Sequence, residues 1–222
     1  MLSDLSRSIP EKPILFMDFD QTIRNGGGTS GLIINHLYAL EEKRGMTKEE
    51  LNEIGRRARE ENKLGLYNYF LAICNYDLNE FNELCDELFT TIDYKQVQKD
   101  HKLFKLLKKV SKKYNLYILT NNHKTHVDIC CKKMFNVGLA DMDFIKCYDI
   151  TETYEDGCFH RKQDEGQFEK ICQRVGADIS ECILIDDNKK VINTAKSVGM
   201  RGIRVKKNKR RLIDILKILK EL

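Results

Sequence analysis

At 222 residues, the chain has room for one large domain or for a core with a smaller insert, and either can bury a full hydrophobic core. Lys and Arg number 38 against 34 Asp and Glu, and the net charge of +4 is too mild to argue for nucleic-acid binding. The longest apolar runs are only a few residues, too short for a bilayer-spanning helix. The opening stretch MLSDLSRSIPEKP lacks the apolar segment of a signal peptide. Eight cysteines are scattered without a Cys-x-x-Cys pair, which suits reduced thiols in a cytoplasmic protein better than a disulfide framework or a zinc site.

The first element in chain order is the apolar run from Pro13 to Met17. It is too short for a helix and closed by polar residues, so it reads as a buried strand. Asp18, Asp20 and Thr22 follow at alternate positions. The next stretch, RNGGGTSG, has glycine at four of eight positions and reads as a hinge or linker. From about Thr29 to Gln98 the periodicity is helical. Phe81, Leu84, Cys85, Leu88 and Phe89 fall on one helix face, and Leu66, Tyr69, Phe70 and Ile73 nearly repeat the pattern. No strand pattern interrupts this segment.

Beyond it the rhythm alternates. Leu103, Leu106, Leu107 and Val110 stripe a helix, and LYILT (116–120) makes a strand. A helix around Lys124–Lys133 precedes a strand at Asp143–Cys147. Phe168, Ile171, Cys172 and Val175 stripe the next helix, before the strand CILID at 182–186. Val191, Ile192, Ala195 and Val198 stripe another, stopped by Gly199, and GIRV supplies a last strand. The tail RRLIDILKILKEL is an amphipathic basic helix, entered through the basic cluster VKKNKRR (205–211). Repeated strand–helix alternation predicts a Rossmann-like, doubly wound α/β core: a parallel sheet covered on both faces. The first strand belongs to that sheet, so the helical segment is an all-helical cap inserted after it. The expected boundaries are 1–24 and 99–222 for the core and 25–98 for the cap.

In open α/β sheets, ligands bind beyond the carboxyl ends of the strands. The first strand ends in Asp18-x-Asp20-x-Thr22, the 116–120 strand in Thr120-Asn121-Asn122, and the 182–186 strand in Asp186-Asp187-Asn188. Four carboxylates at one edge repel one another unless a cation holds them, and hard oxygen ligands favour Mg²⁺. Any one of these groups alone is an ordinary turn or capping residue. All three at three strand ends, in this order, are a specific signal.

DFDQT, LTNN, a lysine, and LIDDNKKVINTAKSVGM resemble the four motifs of the haloacid dehalogenase-like hydrolase superfamily, in the branch with a helical cap between the first two motifs. The resemblance implies a Mg²⁺-dependent phosphatase of a small phosphorylated metabolite, either a sugar phosphate or a nucleoside monophosphate. On that resemblance Asp18 is the nucleophile that forms an aspartyl-phosphate, and Asp20 is the general acid and base. Asp18, Asp186, Asp187 and the Asp20 backbone carbonyl hold Mg²⁺. Thr120, the Asn121 amide and a lysine bind the phosphoryl oxygens.

Two lysines compete for that last role. Lys170 falls on the solvated face of its helix, whereas Lys162 lies in the preceding loop at the family's distance from Asp187, which favours Lys162. Gln163 replaces the proline that often follows this lysine, and Gln21 stands where the first motif often has glycine. Asp20 argues against dehalogenation, since a leaving alkoxide needs a proton and a halide does not. Alternatives are a phosphomutase with the same motifs and a non-catalytic binding protein of this fold. His123 and His126 read as surface helix residues and His101 as a solvated or capping residue. Arg56, Arg57 and Arg59 read as a solvated charge run, and YEDGCFHR (154–161) as a polar loop. Neither nucleic acid nor a membrane is an expected partner, and the oligomeric state is not readable.

Overall fold

The computed structural model of the chain describes residues 12–25, 30–60, 65–206 and 211–221. β1 (Ile14–Met17) is followed by four helices, α1 (Ser30–Lys43), α2 (Lys48–Glu60), α3 (Leu66–Ile73) and α4 (Leu78–Thr91). Then come α5 (His101–Val110), β2 (Asn115–Leu119), α6 (Lys124–Phe135) and β3 (Ile145–Tyr148). A short antiparallel hairpin, β4 (Tyr154–Glu155) with β5 (Cys158–Phe159), precedes α7 (Gln167–Val175). The chain continues with β6 (Ile183–Asp186), α8 (Lys189–Ser197), β7 (Arg201–Arg204) and α9 (Leu212–Glu221).

Five of these strands form one parallel sheet in the order β3-β2-β1-β6-β7. From β1 the chain steps outward to β2 and β3, then returns to β6 on the other side of β1. The direction of winding reverses between β1 and β6, and a crevice opens at their carboxyl ends. Side-chain alternation decides what covers each face. Leu15 and Met17 join an apolar cluster with α5, α6 and α9, while Ile14 and Phe16 face α7 and α8. A strand buried on both faces has no polar side, which is why β1 reads as a continuous apolar run.

Among the described residues, the four-helix insertion has no separate core. Ile33, Leu37, Phe70, Phe81 and Phe89 belong to the same apolar cluster as Leu15 and Met17. Each such buried side chain contributes about 2 kcal/mol relative to exposure, so the insertion is fastened to the sheet by packing as well as by chain connectivity.

The structure corrects several expectations. The third sheet strand is Ile145–Tyr148, slightly later than its apolar pattern suggested. The polar stretch 154–161 contains the β4–β5 hairpin, whose Phe159 is buried against Phe81 with ring centroids 4.6 Å apart. On α3 the buried face holds Tyr67, Asn68, Phe70, Leu71 and Ile73, while Leu66 and Tyr69 are half-buried. The cause is polar pairing: the Asn68 side-chain amide donates to Phe159 O at 3.0 Å and accepts from Phe159 N at 2.7 Å. Arg56 and Arg57 are exposed and paired with Glu53, as a solvated charge run should be. Glycines 26–28 and most of the basic cluster, residues 207–210, lie outside the described residues. Among the described residues, no helix is long and apolar enough to cross a membrane.

Candidate active site

Asp18 is the first residue past β1, and its backbone N–H still donates to Ile185 O at 2.8 Å, so the sheet ladder fixes where its side chain starts. Asp186 is the last residue of the neighbouring strand β6, and Asp187 follows it. One oxygen from each of Asp18, Asp186 and Asp187 lies within 4.8 Å of the others. Lys162 enters from the loop before α7 and is 3% exposed. Its Nζ lies 2.5 Å from Asp18 Oδ1, 2.7 Å from Asp186 Oδ2 and 3.0 Å from Leu119 O. Lys170 pairs instead with Glu155 on the surface.

Three carboxylates share a single ammonium here, and the proton equilibria report the imbalance. Burial, reinforced by Asp186, raises Asp18 from 3.8 to about 7 despite the opposing charge of Lys162. Burial and Asp186 also raise Asp187. Burial disfavours the charged form of Lys162, but Asp18 and Asp186 outweigh it and shift Lys162 upward. With all three carboxylates ionised, one ammonium leaves the cluster two positive charges short. Asp186 Oδ2 is buried with no hydrogen-bond partner, and its contact with Lys162 is an ion pair without hydrogen-bond geometry. A site of hard carboxylate oxygens with a charge deficit and an unsatisfied buried acceptor fits a divalent cation of the Mg²⁺ type.

Asp20 points into a different environment. Its Oδ1 accepts from Arg24 Nε at 2.6 Å and faces His126 Nε2 at 3.3 Å, and its Oδ2 accepts from Asn122 Nδ2. Burial would raise its pKa, but the His126 hydrogen bond and the charges of His126 and Arg24 overcome that and hold it at about 2. Arg24 is held in place by the turn after β1, where Gln21 N donates to Arg24 O at 2.8 Å. Gln21 sits there at φ +66°, the left-handed region that glycine enters without strain. This is the position where the first motif often carries glycine.

The second strand end also organises the site. Thr120 Oγ1 accepts from Asn122 N at 3.1 Å, which leaves its hydroxyl proton for another acceptor. Asn121 Oδ1 accepts from Lys162 N at 2.8 Å, and Asn121 Nδ2 donates to Gln163 Oε1 at 3.0 Å. The Asn121 side chain therefore ties the Lys162 backbone N–H to the Gln163 side chain and braces this loop where a proline is absent. A cavity of about 200 Å³ opens beside Asn121 and Asn122, walled by Tyr67, Asn68, Phe159 and Arg161.

Sequence reasoning placed His123 and His126 on the surface, and the structure buries both completely. His123 caps α6 and contacts Asn82 Oδ1 through Nε2 at 2.9 Å, and burial lowers its pKa. His126 lies one turn before Cys130 and two before Met134, both buried, so the α6 stripe already held the signal for it. Arg24, Tyr67 and Tyr94 were also missed. Arg24 pairs with Asp20 four residues before it, whereas the partners of Tyr67 and Tyr94 come from distant segments that no local pattern marks.

A parallel sheet that reverses between β1 and β6, with carboxylates of both strands gathered on one buried lysine, defines an α/β enzyme whose chemistry lies at the strand ends. The chain belongs to the haloacid dehalogenase-like hydrolases, whose family model matches residues 14–199. No curated protein matches it significantly in sequence. Its fold is similar to that of the HAD family enzyme BT-2542 of Bacteroides thetaiotaomicron, solved with magnesium and inorganic phosphate. That similarity has a TM-score of 0.52 at 18% identity over 89% of this chain and 96% of the other. CbbY of Rhodobacter sphaeroides in complex with phosphate gives a TM-score of 0.56 at 11% identity, covering 87% of this chain and 85% of that one. UTR4 of Saccharomyces cerevisiae gives 0.51 at 12%, covering 87% and 89%.

Proposed function

We propose that the chain is a Mg²⁺-dependent phosphatase of small phosphomonoesters that works through an aspartyl-phosphate on Asp18. One observation carries this reading: a buried Lys162 ammonium bridges Asp18 and Asp186, while Asp20, two residues along, is held apart by Arg24, Asn122 and His126. The two aspartates thereby take separate tasks. Asp18, on the rigid end of a central strand, is aimed as nucleophile at phosphorus. Lys162, with the Thr120 hydroxyl and the Asn121 amide, neutralises and orients the phosphoryl oxygens. Asp20 is ionised in the free site, so it takes up a proton that arrives with the phosphomonoester, gives it to the leaving oxygen, then takes one from the water that cleaves the acyl-phosphate. Asp18, Asp186 and Asp187, with the Asp20 carbonyl, would hold Mg²⁺, which would supply charge to shield the phosphoryl group from the anionic nucleophile.

The helical insertion (25–98) is the cap of a core formed by 1–24 and 99–222. The small cavity at their junction suits a compact leaving group rather than a phosphoprotein or nucleic acid. Support for a sugar phosphate comes from a CbbY variant solved with xylulose-(1,5)bisphosphate, at a TM-score of 0.54 and 11% identity. A cytosolic location accompanies this reading.

The test is phosphate release from sugar phosphates, nucleoside monophosphates and an aryl phosphate, with and without Mg²⁺, beside Asp18→Asn. Mg²⁺-dependent turnover that disappears in the variant is expected. Folded, Mg²⁺-binding protein that releases no phosphate from any ester overturns the proposal.

A further inference from the structure

Both oxygens of the Asp20 carboxylate are reached from the helical insertion, each by one tyrosine acting through one side chain of the segment after β2. Tyr67 of α3 donates to Asn122 Oδ1 at 2.7 Å, and Asn122 Nδ2 donates to Asp20 Oδ2. Tyr94, on the return from α4 to α5, lies 3.0 Å from His126 Nδ1, and His126 Nε2 lies 3.3 Å from Asp20 Oδ1. Three of the four bracing side chains are well buried, with Tyr67 at 7%, Tyr94 at 3% and His126 at 0% exposed, and Asn122 is half-buried.

Hydrogen-bond direction makes each arm selective. The Tyr67 oxygen accepts from His123 N at 3.1 Å, so its own proton is directed to Asn122. That fixes which end of the Asn122 amide is the acceptor, and leaves the NH₂ end facing Asp20. Without the tyrosine the amide can turn over and set its oxygen against the carboxylate. In the second arm a carboxylate partner requires a proton on His126 Nε2. The Tyr94 hydroxyl, able to donate or accept, satisfies Nδ1 in either protonation state of the ring. Arg24 supplies charge to Oδ1 from the core side, and the two tyrosine arms supply orientation.

We infer that Tyr67 and Tyr94 are positioning residues that couple the seating of the helical insertion to the alignment of the Asp20 carboxyl, through Asn122 and His126. The inference rests on the assignment of Asp20 as acid and base. Proton donation to the leaving oxygen matters most when that oxygen is strongly basic. Loss of alignment is therefore visible as a leaving-group effect, which a general loss of stability does not produce.

The experiment compares the full chain with Tyr67→Phe, Tyr94→Phe and the double variant, using phenyl phosphate and p-nitrophenyl phosphate with Mg²⁺. Each single variant is expected to lower kcat on phenyl phosphate about tenfold and on p-nitrophenyl phosphate less than about threefold, with KM little changed; these sizes follow from a partial loss of acid catalysis. Tyr69→Phe is the control, since the Tyr69 hydroxyl bonds Leu51 O within the insertion at 3.1 Å, and it should preserve the ratio of the two rates. Equal losses on both esters, or none on either, overturn the inference. If the wild-type protein hydrolyses neither ester, the phosphatase reading fails instead. The brace is then read from the Asn122 side-chain amide protons by NMR. Shifts that move in Tyr67→Phe and hold in Tyr69→Phe support the brace, and shifts that stay put in both refute it.

Discussion

Asp18 and Asp20 are two residues apart in the chain and lie in opposite electrostatic regimes. Around Asp18, three carboxylates face one ammonium, and burial drives the carboxyl upward. Around Asp20, a guanidinium, an amide and an imidazole converge on one carboxylate, and it is driven down. A short strand end can therefore present two chemically distinct carboxylates when each is surrounded by residues from different parts of the fold. The contrast also locates the missing positive charge. A cation belongs on the Asp18 side, where charge is deficient, and adding one beside Asp20 has nothing to neutralise.

The sharpest way to test this contrast is Asp18→Asn. Phosphate release is expected to fall about 10³-fold or more, as for loss of other enzymatic nucleophiles. The same variant should melt higher than wild type in EDTA, because it removes one carboxylate from an anionic cluster. An unchanged or lower melting temperature would mean that the deficit is not there.

Lys162→Met is the next largest change. It leaves Asp18 and Asp186 buried without their cation, which costs about 3–5 kcal/mol for a broken buried ion cluster. Urea unfolding in EDTA measures it, and a loss below about 1 kcal/mol would show that Lys162 is not what holds the cluster.

The two aspartates also predict opposite limbs in a plot of stability against pH. Asp20 is depressed from 3.8 to about 2, so its contribution is full above pH about 4 and is lost as pH falls through about 2. Asp18 is raised, so the folded protein holds a proton that the unfolded chain releases near 3.8. Its stabilising contribution is lost as pH rises through about 7. In EDTA, Asp18→Asn should flatten the upper limb, and Asp20→Asn the lower. Mg²⁺ competes with that proton, so its stabilisation should be greater at pH 8 than at pH 5.5; equal shifts at the two values would contradict the assignment.

The smallest effect concerns the turn that brings Arg24 to Asp20. Gln21→Gly relieves a left-handed backbone at φ +66° but adds chain entropy to the unfolded state, for a net gain of about 0.5–1 kcal/mol by denaturant titration. A loss would mean that the glutamine side chain itself supports the turn.

Much of the fold was readable because burial on both faces gives β1 and β6 uninterrupted apolar runs, and because the helices between strands carry clean stripes. Asp18, Asp186 and Thr120 could be brought together on paper since parallel strands deliver their ends to one edge. The choice between Lys162 and Lys170 was readable from which face of α7 is solvated. The surroundings of Asp20 were not. Tyr67, Tyr94 and His126 are polar residues at buried positions, and what makes burial tolerable is a partner more than thirty residues away, which periodicity does not encode. The hairpin at 154–159 was missed for a related reason: two-residue strands carry no alternation, and Phe159 is its one fully buried side chain.

The position of β1 in the sheet has a consequence for how the chain is made. Ile14 pairs with Asn115, and Leu15 pairs with Ile183, so the central strand is synthesised first and flanked on both sides only near the end. At ribosomal rates of about 5–20 residues per second, that interval is on the order of ten seconds. Until β2 is made this fully apolar strand has neither neighbour, and until β6 is made it has only one. The helices that follow it in the chain supply the apolar surface available to shelter it meanwhile, and loop closure across so many residues makes sheet completion the slow step of folding.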